Sequence, residues 1–106
     1  MVVEDIELSK KIFELVSNGI CENYDSFYYE SYVYDSYIVE NMSTTINDVE
    51  NWSVKTDFNG ALISKYMRQL WTNSEKRGER WCGFVMKFKK GGDVKIKFVY
   101  EYPAED

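Results

Sequence analysis

Carboxylates and thiols are the side chains in this sequence that could support catalysis or bind a metal ion. The chain has no histidine, which is the commonest general base and transition-metal ligand. Cys21 and Cys82 are the only cysteines, whereas a zinc site needs four cysteine or histidine ligands. Glu30 and Glu40 could face each other across a hairpin, as the paired carboxylates of a glycosidase do. Nothing singles this pair out, so we expect no catalytic residue, no metal and no cofactor.

The glycine pair Gly91-Gly92 would be a candidate phosphate-binding loop only if a helix followed it. A helix N-terminus supplies the N–H groups that hold a phosphate in such loops. Here, alternating hydrophobic and lysine residues flank the pair on both sides. We therefore expect a turn between two strands and no small-molecule substrate.

Tyrosine is the residue type that most favours a binding function. Six of the nine tyrosines fall between Tyr24 and Tyr37, interleaved with acidic residues. On a strand, alternate residues of this stretch would form an aromatic and acidic surface, and tyrosine is favoured at protein interfaces. The alternative is that these tyrosines only suit a strand and keep their hydroxyls in water. The candidate partner-binding residues are Tyr28, Glu30, Tyr32, Tyr34, Asp35 and Glu40.

Charge is segregated along the chain, which has a net charge of −5. No lysine or arginine occurs from Phe13 to Val54, whereas this segment contains eight carboxylates. An acidic surface repels nucleic acid and attracts basic protein surfaces. The alternative is that the charges only keep the protein soluble.

Four lysines near the C-terminus, together with nearby aromatic residues, could resemble an RNA-binding sheet. They are Lys87, Lys89, Lys95 and Lys97. The phenylalanines of the same segment alternate with these lysines and would lie on the opposite face. The negative net charge also opposes phosphate binding. We therefore expect a solvated lysine face and no direct nucleic-acid partner.

Hydrophobic spacing predicts two helices, over residues 5–18 and 59–75. In both segments the apolar residues recur every three or four positions, with charged residues between them. The residues expected to cap or end the helices are Asp5 and Gly19 for the first, and Asp57 or Asn59 and Gly78 for the second.

Period-two alternation predicts the strands. Residues 24–42 predict an antiparallel hairpin that turns at Asp35-Ser36, and residues 49–55 predict a short third strand. Residues 81–102 predict a second hairpin, with positive φ angles at Gly91-Gly92, as in a primed turn. One face of this hairpin would be buried and the other would carry the lysines.

The segregation of helices and strands predicts an α+β fold. The expected order is helix, strand pair, short strand, helix and strand pair, which is typical of a two-layer sandwich with the helices on one face of an antiparallel sheet. The length of 106 residues fits a single domain over residues 1–106.

The composition favours a cytoplasmic protein. No run reaches the roughly 18 apolar residues that span a bilayer, so we expect no membrane partner. Glu4, Asp5 and Glu7 lie where a signal peptide would carry positive charge. Two cysteines are too few to stabilise a secreted domain, so we expect buried free thiols.

The C-terminal segment resembles the YezG-like immunity proteins of bacterial toxin–immunity systems, which include contact-dependent growth inhibition and polymorphic toxin systems. The similarity lies in a tryptophan that opens an alternating strand, a short glycine-containing turn, and a second alternating strand that ends in an aromatic–acidic pair. In this sequence these elements are Trp81, Phe84-Val85-Met86-Lys87-Phe88, Gly92, Val94-Lys95-Ile96-Lys97-Phe98 and Tyr100-Glu101. The order of helices and strands is also similar to that family.

The resemblance implies a cytoplasmic antitoxin that binds a cognate toxin domain, expected to be a nuclease, and blocks it in a one-to-one complex. An acidic, tyrosine-rich surface could fill a basic nuclease cleft, because carboxylates imitate phosphates. The alternative function is a non-catalytic adaptor or a subunit of a larger assembly.

Overall fold

Residues 3–104, described by our computed structural model, form two helices and a five-stranded antiparallel sheet. The predicted α+β class and the order α-β-β-β-α-β-β are confirmed. The elements are α1 (Val3–Gly19), β1 (Ser26–Val33), β2 (Ile38–Ile46), β3 (Val49–Asn51), α2 (Gly60–Lys76), β4 (Gly83–Lys89) and β5 (Val94–Val99).

The chain divides into two compact units, each made of two separate segments. The helical unit contains α1 and α2 and is formed by the chain before residue 23 and by residues 55–80. The sheet unit contains all five strands and is formed by residues 23–54 and the chain from residue 81 onward. Each unit therefore depends on contacts between distant parts of the sequence.

In the helical unit, α1 packs against α2. The apolar residues that recur at helical spacing are buried, as the sequence predicts: Leu8, Ile12 and Val16 on α1, and Ile63, Met67 and Leu70 on α2. Ile6, by contrast, is 40% exposed, and other apolar residues of the predicted stripes are half-buried: Phe13, Leu15, Leu62 and Tyr66. The apolar stripe of α1 therefore begins at Leu8.

Asp5 was predicted to cap α1, and this prediction is wrong. α1 already begins at Val3, so Asp5 lies within its first turn and is only 2% exposed. Its carboxylate instead accepts a hydrogen bond from the guanidinium of Arg77, which also contacts Glu79 at 2.9 Å. This ion pair joins the start of α1 to the end of α2.

The ends of α2 follow the sequence signals. The side chain of Asn59 accepts a hydrogen bond from the N–H of Leu62 at 3.0 Å, so Asn59, and not Asp57, is the N-cap. Gly78, just beyond the helix, has a φ of 81°, which favours glycine. Gly19 ends α1 without a positive φ; it is required because a Cβ there would lie 2.3 Å from the Cβ of Phe58.

The strand order in the sheet is β3-β2-β1-β4-β5, so the two hairpins meet where β1 pairs with β4. Alternation along β1 gives the sheet a buried face, which carries Phe27, Tyr29 and Val33, and an exposed face, which carries Tyr28 and Tyr32. On β4, Phe84 and Met86 are on the buried face and are 0% exposed. The predicted alternation is confirmed along β1, whereas the first four residues of β4 are all buried, Val85 included.

The turns differ from prediction in detail. The hairpin turn at Asp35-Ser36 is confirmed, closed by the hydrogen bond from Tyr34 N–H to the Tyr37 carbonyl at 2.9 Å. The predicted primed turn at Gly91-Gly92 is wrong, because only Gly91 has a positive φ and residues 90–93 connect the strands. Asn47-Asp48 instead connects β2 to β3 with positive φ at both residues, as a two-residue primed turn requires.

Candidate functional site

Tyr28 lies at the centre of the aromatic part of the exposed face. It pairs with Ser43 on β2 and with Lys87 on β4, and Lys87 pairs in turn with Lys95 on β5. The Lys87 amine is 5.7 Å from the centroid of the Tyr28 ring, within cation–π range. The edge of the Tyr28 ring also meets Trp52, with the ring centroids 6.1 Å apart.

Glu30, in the next row of the exposed face, has both carboxylate oxygens engaged. The Tyr28 hydroxyl donates to Oε2 at 2.7 Å, and the Asn41 side-chain amide donates to Oε1 at 3.1 Å. Burial, followed by this contact with Glu30, raises the pKa of Tyr28 well above its usual value. Glu30 therefore orders the Tyr28 ring.

Tyr32 forms the third row and lies against a glycine. It pairs with Val39 on β2 and with Gly83 on β4. A Cβ at Gly83 would lie 2.7 Å from Cε1 of the Tyr32 ring and 3.1 Å from Cβ of Val99. The glycine therefore gives the Tyr32 ring its place against the backbone of β4.

A groove of about 480 Å³ runs across the exposed face. Its aromatic walls are Tyr28 and Trp52, and its basic walls are Lys87, Lys89 and Lys95. Trp52 is 57% exposed, and its indole N–H donates to the carboxylate of Glu50. A groove that combines aromatic rings with charged walls suits a protein segment better than it suits a catalytic reaction.

Tyr34 lies at the end of the sheet, outside the groove. Its ring stacks on Tyr37, with centroids 4.7 Å apart, and on Tyr102, with centroids 4.4 Å apart. The Tyr102 hydroxyl donates to the Val33 carbonyl at 2.7 Å, which fixes the chain after β5 against β1. We call Tyr34, Tyr37 and Tyr102 the tyrosine stack.

The remaining two candidates, Asp35 and Glu40, do not lie on the exposed face of the sheet with Tyr28, Glu30 and Tyr32. Asp35 is exposed at the turn between β1 and β2, beside the tyrosine stack. Glu40 lies on the buried face, because it pairs with Ser31, whereas Glu30 pairs with Asn41. The prediction that Glu30 and Glu40 face each other is therefore wrong.

Glu40 is the ionisable group that β2 places on the buried face. Burial raises its pKa above the usual value, and the neighbouring Tyr29 hydroxyl opposes part of that rise. Burial and the charge of Glu40 in turn raise the pKa of Tyr29 well above its usual value. This arrangement gives Glu40 an effect on stability at neutral pH.

The exposed face is less acidic than the sequence suggests. Since β4 and β5 pair beside β1, their lysines lie on the same face as Tyr28 and Glu30. We call Lys87, Lys89, Lys95 and Lys97 the lysine cluster. The lysine face and the tyrosine surface, which the sequence predicts separately, therefore lie side by side. Together they form one face of mixed charge.

Sequence reasoning missed Trp52 and the lysine cluster as parts of the candidate surface. Trp52 was assigned to the third strand, but β3 ends at Asn51. The pairing of β1 with β4 unites residues far apart in the sequence, such as Tyr28 and Lys87, and no local pattern encodes it. The Asn47-Asp48 turn, which places β3 and Glu50 beside β2, was the local signal that could have been used.

The two cysteines are free, but they differ in environment. Cys82 is buried, and burial raises the pKa of its thiol, which donates to the Val99 carbonyl at 3.4 Å. Cys21 is exposed, so the prediction of buried thiols is wrong for this residue. Its position just beyond Gly19 places it at the end of α1.

Residues 3–104 contain neither a membrane-spanning helix nor a cluster of metal ligands. Neither helix there is long and apolar enough to cross a bilayer. In the same part of the chain, no three acidic or cysteine side chains come together in an arrangement that could hold a metal ion.

Comparison of the sequence with known proteins yields no match, either to a protein-family model or to a curated protein.

Proposed function

We propose that this chain is a bacterial immunity protein that binds and neutralises a cognate toxin domain by direct contact in the cytoplasm. The resemblance to YezG-like proteins supports the role, and the exposed face of the sheet supports the mode of action. The expected toxin is a nuclease, and the expected complex contains one copy of each protein.

The single observation that carries this proposal is the aromatic groove. Tyr28 and Trp52 wall it, and Trp52 remains more than half exposed. Large rings with a polar tip bury much area at little entropic cost, so they dominate the energy of protein interfaces. Leaving Trp52 in water has no benefit for folding, whereas covering it with a partner would stabilise a complex.

The mixed charge of the exposed face changes the expected mechanism of inhibition. Lys87 and Lys95 lie on the same face as Glu30, so imitation of phosphate by an acidic patch has little support. We propose instead that the toxin lays a surface segment in the groove, and that the bulk of the immunity protein then blocks access to the toxin. Binding away from the toxin's catalytic centre would serve equally well.

Rescue of growth tests this proposal. The chain is co-expressed with the toxin-like protein encoded next to its own gene, and growth and complex formation are measured. We expect growth and a one-to-one complex by light scattering after gel filtration. A Tyr28→Ala/Trp52→Ala double variant should lose rescue, because truncating two central rings weakens binding by about 2 kcal/mol or more.

Tyr100→Ala is the matched control, because Tyr100 is 64% exposed and lies beyond β5, outside the groove. It should rescue growth as the unchanged protein does. Rescue by the double variant at the level of this control would refute the groove as the interface, and failure of the unchanged protein would refute the immunity function.

A second candidate function, a non-catalytic adaptor or subunit, is favoured by one further observation. The tyrosine stack forms a separate aromatic patch, in which Tyr37 is 55% exposed and Tyr102 is 46% exposed. An adaptor needs two such surfaces, one for each partner. Co-purification distinguishes the functions, because an immunity protein retains one toxic partner, whereas an adaptor retains two partners that each need a different surface.

A further inference from the structure

The lysine cluster is a concentration of positive charge in an acidic protein. Lys87 and Lys95 are directly opposite each other on β4 and β5, and Lys97 is the next residue along that face of β5. Like charges in directly opposite positions destabilise a sheet. None of the four lysines makes an ion pair with a carboxylate of residues 3–104, so the positive charge is not neutralised by that part of the chain. The unfavourable arrangement therefore needs a reason outside folding.

The carboxylates of the same face, unlike the lysine amines, accept hydrogen bonds from side chains of this protein. Both oxygens of Glu30 accept hydrogen bonds, and the carboxylate of Glu50 accepts one from the Trp52 indole. These acidic groups hold the aromatic rings in place, whereas the amines of the lysine cluster remain available. Glu30 and Glu50 keep their negative charge, but the charged hydrogen-bond donors of this face that have no carboxylate partner in residues 3–104 are the lysine amines, and these suit an anion.

The aromatic walls of the groove indicate which other chemical group an anionic ligand must carry. The Tyr28 and Trp52 rings lie on one side of Lys87, and Lys95 lies on the other. A ligand that fills the groove therefore needs an apolar or aromatic side chain between the rings and carboxylates directed toward β5. Alternating side chains of an extended peptide provide both.

We propose that the groove binds an acidic protein segment, with an apolar side chain between Tyr28 and Trp52 and carboxylates on Lys87 and Lys95. This inference rests on the proposed function, since it names the chemistry of the toxin surface that the exposed face recognises. The sequence predicts that this protein supplies the acidic surface and the toxin the basic one. Here the toxin supplies the acidic segment and this protein supplies the lysines.

Single-stranded nucleic acid also combines negative charge with flat rings, but the groove is less suited to it. Glu30, Glu50 and Asp93 line the same groove and would repel a continuous chain of phosphates. The net charge of −5 opposes approach of nucleic acid from a distance. An acidic peptide can place neutral residues opposite these carboxylates.

Amide chemical shifts of the full chain provide the test. One probe is a synthetic peptide with a central phenylalanine flanked by glutamates, and the other is an oligothymidylate of the same length. We expect the peptide to shift the Trp52 indole signal and the amides around Lys87 and Lys95. A Lys87→Glu/Lys95→Glu variant should bind the peptide about tenfold more weakly, because two attractions become repulsions.

The matched control is Lys10→Glu/Lys65→Glu, which makes the same change of charge on exposed residues of α1 and α2. Its affinity for the peptide should stay within about twofold of the unchanged protein, since neither lysine lines the groove. Equal weakening by both variants, absence of shifts at Trp52, or tighter binding of the oligothymidylate would overturn the proposal.

The rescue assay then separates this inference from the proposed function. If the unchanged chain protects cells and Lys87→Glu/Lys95→Glu protects equally well, the lysine cluster is not the toxin contact and the immunity function stands. If the peptide binds in the groove but the unchanged chain protects no cells, the immunity function fails and the binding site stands.

Discussion

On β1, Phe27, Tyr29 and Val33 are at most 3% exposed, whereas Tyr28 and Tyr32, which alternate with them, remain partly exposed. Both sets come from one strand, and both are rich in aromatic residues. Composition therefore does not distinguish the two faces of the sheet. What distinguishes them is that the buried face is filled with apolar side chains, while the exposed face combines rings with charged groups.

This difference separates stability from recognition within one sheet. A side chain on the buried face contributes to folding through the water it excludes, at about 25 cal/mol for each Å² of apolar surface. A ring on the exposed face still contacts water, so it has not contributed this free energy to folding. Covering the ring with a partner would contribute it to the stability of a complex. The sheet can therefore change its exposed face with little cost to folding.

Phe84→Ala is the change for which we expect the largest effect. Phe84 is 0% exposed, and its ring packs edge-on against Phe98 with centroids 5.8 Å apart. Removing a buried aromatic ring costs about 3–5 kcal/mol of the free energy of unfolding. Urea unfolding followed by circular dichroism measures this loss.

Trp52→Ala is the control for that measurement on the exposed face. It removes an even larger ring, but one that is 57% exposed, so the free energy of unfolding should change by about 0.5 kcal/mol. Comparable losses from the two variants would contradict the separation of stability from recognition.

Gly83→Ala should have an intermediate effect, because it tests packing on the exposed face. The added Cβ would lie 2.7 Å from the Tyr32 ring, so the ring must move away from β4. Overpacking of this kind costs about 1–3 kcal/mol of the free energy of unfolding. The displaced ring should also alter the near-ultraviolet circular dichroism of the tyrosines.

Gly60→Ala provides the matched substitution, since nothing lies within 4 Å of a Cβ at that position. Gly60 is the first residue of α2, where alanine lowers the entropy of the unfolded chain without strain. The free energy of unfolding of the Gly60→Ala variant should be unchanged or higher by up to about 1 kcal/mol. Similar destabilisation at Gly60 and Gly83 would show that Tyr32 has no part in the cost.

The elements of this fold could be predicted from the sequence because their signals are local. The helical spacing of Ile63, Met67 and Leu70 places α2, and the alternation of Phe84, Met86 and Phe88 with Val85, Lys87 and Lys89 places β4. In each case the residues that define the pattern are close in the chain. For the cap of α2 the sequence offers Asp57 or Asn59, and the structure selects Asn59.

The composition of the candidate site could be predicted only in part, because it depends on which strands become neighbours. Alternation along β1 predicts that Tyr28, Glu30 and Tyr32 share a face. It does not predict that β4 pairs with β1 and brings Lys87 beside Tyr28. The charge of the face was wrongly predicted for this reason, since charge segregated along the sequence is mixed by the pairing.

The register across a hairpin is also set by the turn and not by the strands. With a tight connection between Tyr34 and Tyr37, Glu30 pairs with Asn41, and Glu40 pairs with Ser31. A shift by one residue would move every side chain of β2 to the other face. The sequence indicates the turn at Asp35-Ser36 but leaves its geometry open, so the position of Glu40 depends on the structure.

Glu40 is the ionisable group that β2 places on the buried face, and we expect Glu40→Gln to have a smaller effect than Phe84→Ala or Gly83→Ala. Since burial raises the pKa of Glu40 in the folded protein, the stability that the protonated carboxyl contributes is full below its unfolded pKa. That contribution is lost as the pH rises through the raised pKa, because the charged form is poorly solvated. Glutamine stays neutral, so its advantage over glutamate should grow over the same interval.

Urea unfolding of the two proteins at about pH 4 and about pH 7 measures this difference, since the usual pKa of glutamate lies near the lower value. We expect Glu40→Gln to be the more stable protein at the higher pH, by more than any difference at the lower pH. The reverse order would mean that ionised Glu40 is stabilised where it lies, and the buried face would then accept charge as the exposed face does. Glu30→Gln is the comparison on the exposed face, where loss of the carboxylate charge should weaken the hydrogen bonds from Tyr28 and Asn41.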